Sequence, residues 1–193
     1  MNYTNCIVTD RLILRRFVKE DTKDVFALMS DTYIAEKAGF RPFKTIYSTH
    51  MFMRDWRDYA FAITERSSDT VIGIIQTTPF YRYSRMEIGY WLADGYRGQG
   101  YMTEAVEAVK SYLFNRERWC NEIIIHVYEG NDASSGVALN CGFFPMPEAY
   151  KENVYSRFGK VESELSYSIT RADYEWEQRG QSFYSTEPRK TAA

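Results

Sequence analysis

Residues 85–110, RMEIGYWLADGYRGQGYMTEAVEAVK, constrain this chain more than any other stretch. Residues 86–92 form an apolar and aromatic run of strand length, and residues 94–100 a glycine-punctuated turn carrying one arginine. From Tyr101 onward, Met102, Ala105, Val106, Val109, Tyr112 and Leu113 recur with helical spacing. Strand, turn and helix in that order aim a row of backbone N–H groups at one point, where the start of the helix adds partial positive charge. Gly98 and Gly100 remove side chains that would hold a ligand away from the backbone. Such a site wants an anion, above all phosphate.

Spacing sorts the phosphate ligands. The turn is not G-x-x-x-x-G-K-[ST], which excludes a P-loop, and it is not G-x-G-x-x-G, because Thr103 stands at the third glycine position. A dinucleotide fold would also carry its fingerprint on the first strand. An NTP- or dinucleotide-binding protein is therefore disfavoured. What fits is Arg97-x-x-Gly100-x-Met102 after a strand. It resembles the pyrophosphate loop of the GNAT N-acyltransferases: Gln or Arg, two residues, Gly, one residue, then Gly or Ala. Met102 departs from the small residue at the last position. The flanking I-G-Y-W-L and G-Y-M-T-E-A, and the early T-D-R-L-I-L-R, are similar to the RimJ/RimL-type branch. A second cluster, residues 127–143, resembles the family's other signature in Asn131, Ser134, Gly142 and Phe143.

The chain of 193 residues is long enough to bury a full core and reads as one domain over 1–180, followed by a polar tail over 181–193. With 24 basic and 26 acidic residues it has no electrostatic footprint for nucleic acid. Neither a signal-peptide pattern nor an apolar run of about 18 residues is seen, which predicts a cytoplasmic protein without a membrane partner. Cys6, Cys120 and Cys141 are scattered and suit a reduced compartment, and together with His50 and His126 they offer no metal-ligand spacing.

Alternation at 11–17 predicts a half-buried first strand. Helices are expected over 20–30 with Asp21 as N-cap, over 31–37 ended by Gly39, and over 45–57 with Ile46, Met51, Phe52 and Trp56 on one side. Strands at 59–64 and 71–77 make an antiparallel meander with 86–92. Residues 122–128 predict a strand covered on both faces, 131–140 a short helix stopped by Gly142, and 162–170 a closing strand. Gly136 weakens that short helix by about 1 kcal/mol. The element order gives a mixed α+β class. The resemblance, over residues 9–171, implies the GNAT fold: a central, mostly antiparallel twisted sheet flanked by helices, with a splayed acyl-CoA cleft.

The resemblance also implies acetyl-CoA as cosubstrate, with no metal. Its diphosphate would be held by Arg97, Gly98, Gln99, Gly100, Tyr101, Met102 and Thr103. Its pantetheine arm would lie along Tyr90, Trp91 and Leu92 and beside Asn131 and Ser134. The reaction implied is direct attack of a primary amine on the thioester, which needs an oxyanion donor and a proton acceptor. Glu87 is either that acceptor or a strand glutamate paired with Arg85. Ser134 is a proton donor to the thiolate or a residue of the helix start, and Tyr128 is an alternative donor or a core tyrosine. His126 reads as a hydrogen-bonded core histidine, and Cys141 lacks a basic neighbour in sequence that would make it a nucleophile. Sixteen Tyr and twelve Phe read mostly as core, but Tyr33, Phe40, Phe43, Tyr81 and Tyr83 fall where the family builds its acceptor groove. The partner implied is a small-molecule or peptide amine, with a homodimer left open. The competing reading is a non-catalytic acyl-CoA sensor or interaction module on the same fold.

Overall fold

The computed structural model describes residues 6–147, 153–155 and 161–180. Strand β1 (Ile7–Val8) and β2 (Leu12–Arg15) lead into helices α1 (Thr22–Ser30), α2 (Thr32–Lys37) and α3 (Ile46–Asp55). A meander follows in β3 (Ala60–Glu65), β4 (Val71–Phe80) and β5 (Arg85–Leu92), then α4 (Tyr101–Arg116), β6 (Glu122–Tyr128) and α5 (Asp132–Asn140). The described chain closes with β7 (Phe144–Pro145), β8 (Asn153–Tyr155), β9 (Val161–Thr170) and α6 (Arg171–Gln178). The sheet runs β1-β2-β3-β4-β5-β6-β9-β7, with β8 paired to the start of β9. Every pairing is antiparallel except β5 with β6.

Strand alternation feeds two cores. Phe61 and Ile63 turn to the face covered by α4, while Ala60 and Ala62 turn to the face covered by α1, α2 and α3. On β4, Val71 and Ile74 share one core and Ile72 and Ile75 the other, which breaks strict alternation. A register shift opposite Ile63 and Thr64 accounts for it: the bulge inserts a residue and resets the faces. Helix α4 contributes Met102, Ala105, Val106, Val109, Leu113 and Phe114 to the first core, the apolar stripe read from its spacing.

Both ends of α4 are tied down. At its N-terminus the Glu104 carboxylate accepts from the Thr9 hydroxyl (2.6 Å), the Arg11 N–H (2.9 Å) and Arg11 Nε (2.6 Å), binding the helix to the start of β2. At its C-terminus Arg171 donates to the carbonyl of Phe114 (2.7 Å), an acceptor in the last turn, and to those of Glu117 (2.9 Å) and Cys120 (2.8 Å) in the segment that follows. Midway, the buried Lys110 donates to Glu107 and the Cys141 carbonyl, both at 2.8 Å, and to Glu177 on α6 at 3.3 Å.

Several details depart from expectation. Asp21 does not cap α1: its carboxylate is buried, receives both terminal nitrogens of Arg15 (2.7 and 2.9 Å) and accepts from the Val18 N–H at 2.8 Å. Helix α3 buries Thr49 and Met53 and leaves Ile46 exposed, because the wider aromatic side chains Phe52 and Trp56 border a cavity. Strand β6 is not covered on both faces: His126 on it is exposed. Strands β1, β7 and β8 and helix α6 were not anticipated, the strands being too short to show a period. The tail expected over 181–193 lies outside the described residues.

Removing one partner of a buried ion pair strands the other charge. Asp21→Ala should therefore lower unfolding free energy by about 3 kcal/mol, read from the urea midpoint. Arg15→Met with Asp21→Leu should lose less than either single change, since no charge is then left buried.

Candidate functional site

The site is made by two strands that part. Strands β5 and β6 pair in parallel through Arg85–Glu122, Met86–Ile123 and Glu87–Ile124, and no further. Beyond that point β5 continues to Leu92 and β6 to Tyr128, each still paired on its far side, with β4 and β9 respectively. The wedge between them is bridged low on one face by the Tyr90 hydroxyl, which donates to the Ser134 carbonyl at 2.9 Å. Burial raises the Tyr90 phenol well above its ordinary range, so it stays a donor. On the other face Tyr128 reaches Gly39, where an added Cβ would fall on the Tyr128 hydroxyl. Gly39 thus permits the end of β6 to meet the chain after α2.

At the mouth of the wedge stands the N-terminus of α4. Gly98 and Gly100 both adopt positive φ (71° and 78°), which glycine takes without strain. Glu104 makes the first backbone bond into the helix, to the Gly100 carbonyl, so the N–H groups of Tyr101, Met102 and Thr103 precede the ladder. Arg97 is more than a solvated loop arginine: its Nε donates to the Leu92 carbonyl at 3.2 Å, and its guanidinium lies 4.5 Å from the centre of the Tyr33 ring. Met102 is 6% exposed, with its side chain in the core, so the larger residue at that position leaves the loop backbone open.

A cleft of about 480 Å³ runs from this helix end into the wedge. Tyr90, Trp91, Leu92, Arg97, Gly98, Gly100, Tyr101, Met102, Thr103, Asn131 and Ser134 all line it. Gln99 does not; its side chain folds back to the Gly95 carbonyl and its own carbonyl accepts from Arg11. Asn131 caps α5 as its sequence position suggests, with Oδ1 accepting from the Ser134 N–H at 3.4 Å. The cleft continues into a smaller cavity of about 140 Å³ inside the wedge, where Glu87, Tyr128, Asn131 and Ser134 meet.

Glu87 does not pair with Arg85, which instead binds Glu122 at 2.6 Å. Glu87 sits in a row of directly opposed residues crossing the sheet: Thr78, Glu87, Ile124 and Ser168. The next rows carry His126 with Ser166, and Tyr128 with Glu164, so these share its face. His126 Nδ1 lies 2.9 Å from the Ser166 hydroxyl and 3.8 Å from Glu164. Glu164 and Lys37 line the same cavity and were not singled out from sequence. The alternation of polar residues at 164, 166 and 168 with Leu165, Tyr167 and Ile169 carried the signal, once β9 is known to lie beside β6. Cys141 is buried and its thiol is pushed up to about 12, mainly by burial, which removes it as a nucleophile. Among the described residues no group of His, Cys, Asp and Glu is arranged to hold a metal.

The parted parallel strands end at a helix N-terminus, the arrangement that the resemblance implied, and comparisons with known proteins agree with it. Residues 11–144 match the family described as Acetyltransferase (GNAT) domain, and the chain belongs to this family of acetyltransferase enzymes, which move an acetyl group to an amine. It is 26% identical over 166 residues to the uncharacterized N-acetyltransferase YoaA of Bacillus subtilis, covering 77% of this chain and 93% of that one. The fold matches the crystal structure of a GNAT-family acetyltransferase from Bacillus anthracis with a TM-score of 0.78 at 23% identity, over 87% of this chain and 99% of that one. It also matches spermidine N-acetyltransferase from Vibrio cholerae, solved with CoA and spermine, with a TM-score of 0.75 at 16% identity, over 86% and 99% of the chains.

Burial raises the Glu104 pKa, but the hydrogen bonds from Thr9 and Arg11 outweigh it and leave the carboxylate below its ordinary value. Its stabilisation is thus whole above the unfolded glutamate pKa, about 4.3, and is lost as pH falls through the lower folded value. Thermal melts of Glu104→Gln should lie below wild type at neutral pH, with the gap closing only below about pH 4.

Proposed function

We propose that this chain is a RimJ/RimL-type N-acetyltransferase that carries an acetyl group from acetyl-CoA to a primary amine in the cytoplasm. The observation that carries the reading is the end of β5–β6 pairing at Glu87 and Ile124, with the freed edge of β5 leading directly to the α4 N-terminus. The N–H groups of Tyr101, Met102 and Thr103, which precede the helical ladder, suit a diphosphate, and the glycines at 98 and 100 let it approach. The unpaired edge of Tyr90 to Leu92 suits the amide-bearing pantetheine arm, with Asn131 and Ser134 beside it. The buried thiols of Cys120 and Cys141 support a reducing compartment. Among the described residues no helix is long and apolar enough to cross a membrane. The unbroken sheet from β1 to β7 supports a single domain.

Chemistry at this site follows from where the side chains lie. An amine entering the wedge from the Glu87 face loses a proton to Glu87, and its nitrogen forms a bond to the thioester carbonyl carbon. Negative charge that builds on the carbonyl oxygen is met by a backbone N–H on the free edge of β5. As the C–S bond breaks, the nitrogen gives its second proton to the Ser134 oxygen while the Ser134 hydroxyl proton passes to the departing sulfur, so Ser134 ends as a hydroxyl; Tyr128 is the alternative relay on the same cavity wall. The burial-raised Tyr90 and Cys141 hold their protons throughout.

Thermal stability with acetyl-CoA, CoA, ATP and NAD in parallel tests the ligand. Acetyl-CoA or CoA at ~100 times its Kd should add about 2.7 kcal/mol, and a shift with ATP or NAD alone would refute the assignment. Gly100→Glu places a carboxylate at the diphosphate cradle and should weaken acetyl-CoA binding by about 100-fold or more, with circular dichroism confirming the fold. Glu87→Gln should reduce kcat by about 100-fold while the acetyl-CoA Kd stays within twofold. An unaltered pH–rate profile in that variant would remove Glu87 from the mechanism.

A further inference from the structure

Helix α2 ends at Lys37, and its surroundings fix where that lysine stands. Ile34 anchors the helix in the second core, and Ala35 is fully buried. The Ala38 N–H closes the last turn on the Ile34 carbonyl at 2.9 Å. Gly39, at a φ of 71°, then carries the chain past the Tyr128 hydroxyl, where a side chain would have no room. The backbone at Lys37 is thus held on both sides, while the residue itself is exposed. Lys37 stands on the wall of the wedge cavity with Glu87, Asn131 and Ser134, and also on the wall of the cleft with Arg97, Gly100 and Ser134. Among the described residues no other lysine lines either space. Lys44 lines a different and large cavity, about 830 Å³ among Phe40, Phe43, Phe52, Trp56 and Trp91. Lys110 is buried against Glu107 and Glu177, and Lys19 and Lys23 are exposed on other elements.

Neither the Lys37 nor the Glu87 side chain makes a hydrogen bond or ion pair among the described residues, so both are uncommitted groups on one cavity wall. The wall also has room. A Cβ added at Gly89, the next residue on the Glu87 face of β5, meets nothing within 4 Å, and no positive φ calls for glycine there. A glycine inside a strand, with neither reason of its own, suits the close approach of another group. Lysine carries a primary amine on a flexible stem, the functional group that attacks the thioester in the acetyltransferase reading. We infer that Lys37 is itself an acetyl acceptor, modified in the cleft of its own chain. The inference rests on the acetyltransferase reading and adds to it a substrate that does not have to diffuse in. Glu87 takes one proton from the Lys37 ammonium, the nitrogen bonds to the thioester carbonyl carbon, and the C–S bond breaks. The second nitrogen proton passes through the Ser134 hydroxyl to the departing sulfur. The products are an acetamide on Lys37 and the free thiol of CoA, and Glu87 returns its proton to water. Acetylation takes the positive charge off a wall that the cleft and the wedge share.

Peptide mapping by mass spectrometry after incubation of the full chain with acetyl-CoA tests this, with calorimetric binding of acetyl-CoA measured on the same protein. Lys37 should gain its acetyl group about tenfold faster or more than Lys19, Lys23 and Lys44, exposed amines that report uncatalysed transfer. The rate per chain should stay constant across about a tenfold range of protein concentration, as a step within one chain requires. Excess CoA, which fills the cleft without bringing an acetyl group, should slow labelling of Lys37 about tenfold and that of the comparison lysines less than about twofold. If acetyl-CoA binds and Lys37 is labelled no faster than those three, the inference is overturned and the acetyltransferase reading stands. A rate per chain that climbs with protein concentration, or labelling of Lys37 that ignores CoA, has the same effect. Failure of acetyl-CoA to bind at all would overturn both readings together.

Discussion

Everything at this site depends on two neighbouring parallel strands ceasing to pair halfway along their length. An unpaired backbone edge in a sheet interior is costly, and a sheet closes such a gap unless something prevents it. Here each strand is held from outside. β4 follows β5 from Arg85 to Leu92, and β9 follows β6 from Glu122 to Tyr128, so neither strand can swing inward without breaking a complete ladder. Tyr90 spans the gap on one face to Ser134, and Tyr128 abuts Gly39 on the other. The open edge is thus built into the fold, and on the proposed reading it is what pairs with an extended amide-bearing ligand.

A second layer of order lies in how charge is distributed around that edge. Glu104 is committed to Thr9 and Arg11, Arg97 to Leu92 and Asp94, Lys110 to Glu107 and Glu177. These pairs fix elements in place. Glu87, which has lost its expected partner because Arg85 binds Glu122, faces the wedge together with His126 and Glu164. The groups that could compete for protons nearby, Tyr90 and Cys141, are held protonated by burial. On the proposed mechanism, proton transfer in the wedge is left to its Glu87 face.

The strand, turn and helix of residues 85–110 were legible in sequence because local rules determine them: strand length, two glycines and a helical stripe all sit within that stretch. Asn131 was legible for the same reason, since a cap and its helix are neighbours in the chain. What sequence could not show depends on distant partners. Asp21 looked like a cap, yet Arg15 had claimed it; His126 looked like a core residue, yet its side of β6 opens onto the wedge. Of the aromatic residues expected in an acceptor groove, Phe40 and Phe43 line the large cavity, whereas Tyr33 lies against Arg97 and Tyr81 is tilted against Trp119. Phe52, Trp56 and Trp91 complete the cavity from two other elements, a convergence that no single window of sequence contains. The parting of β5 and β6 was expected only from the resemblance, because both strands remain good strands beyond the last pair at Glu87 and Ile124.

The position of β9 has a consequence for how the protein is made. It is the last strand in the described chain, yet it lies inside the sheet, between β6 and β7. On the ribosome, β6 is synthesised some forty residues earlier and must wait with its outer edge bare while the intervening segment emerges. During that interval the nascent chain presents an apolar strand, EIIIHVY, to any other chain nearby. The wedge cannot exist yet either, since the ladder that holds β6 away from β5 is still missing. Synthesis of β9 therefore completes the described sheet and parts β6 from β5 in a single event, and a chain interrupted before residue 161 would lack both.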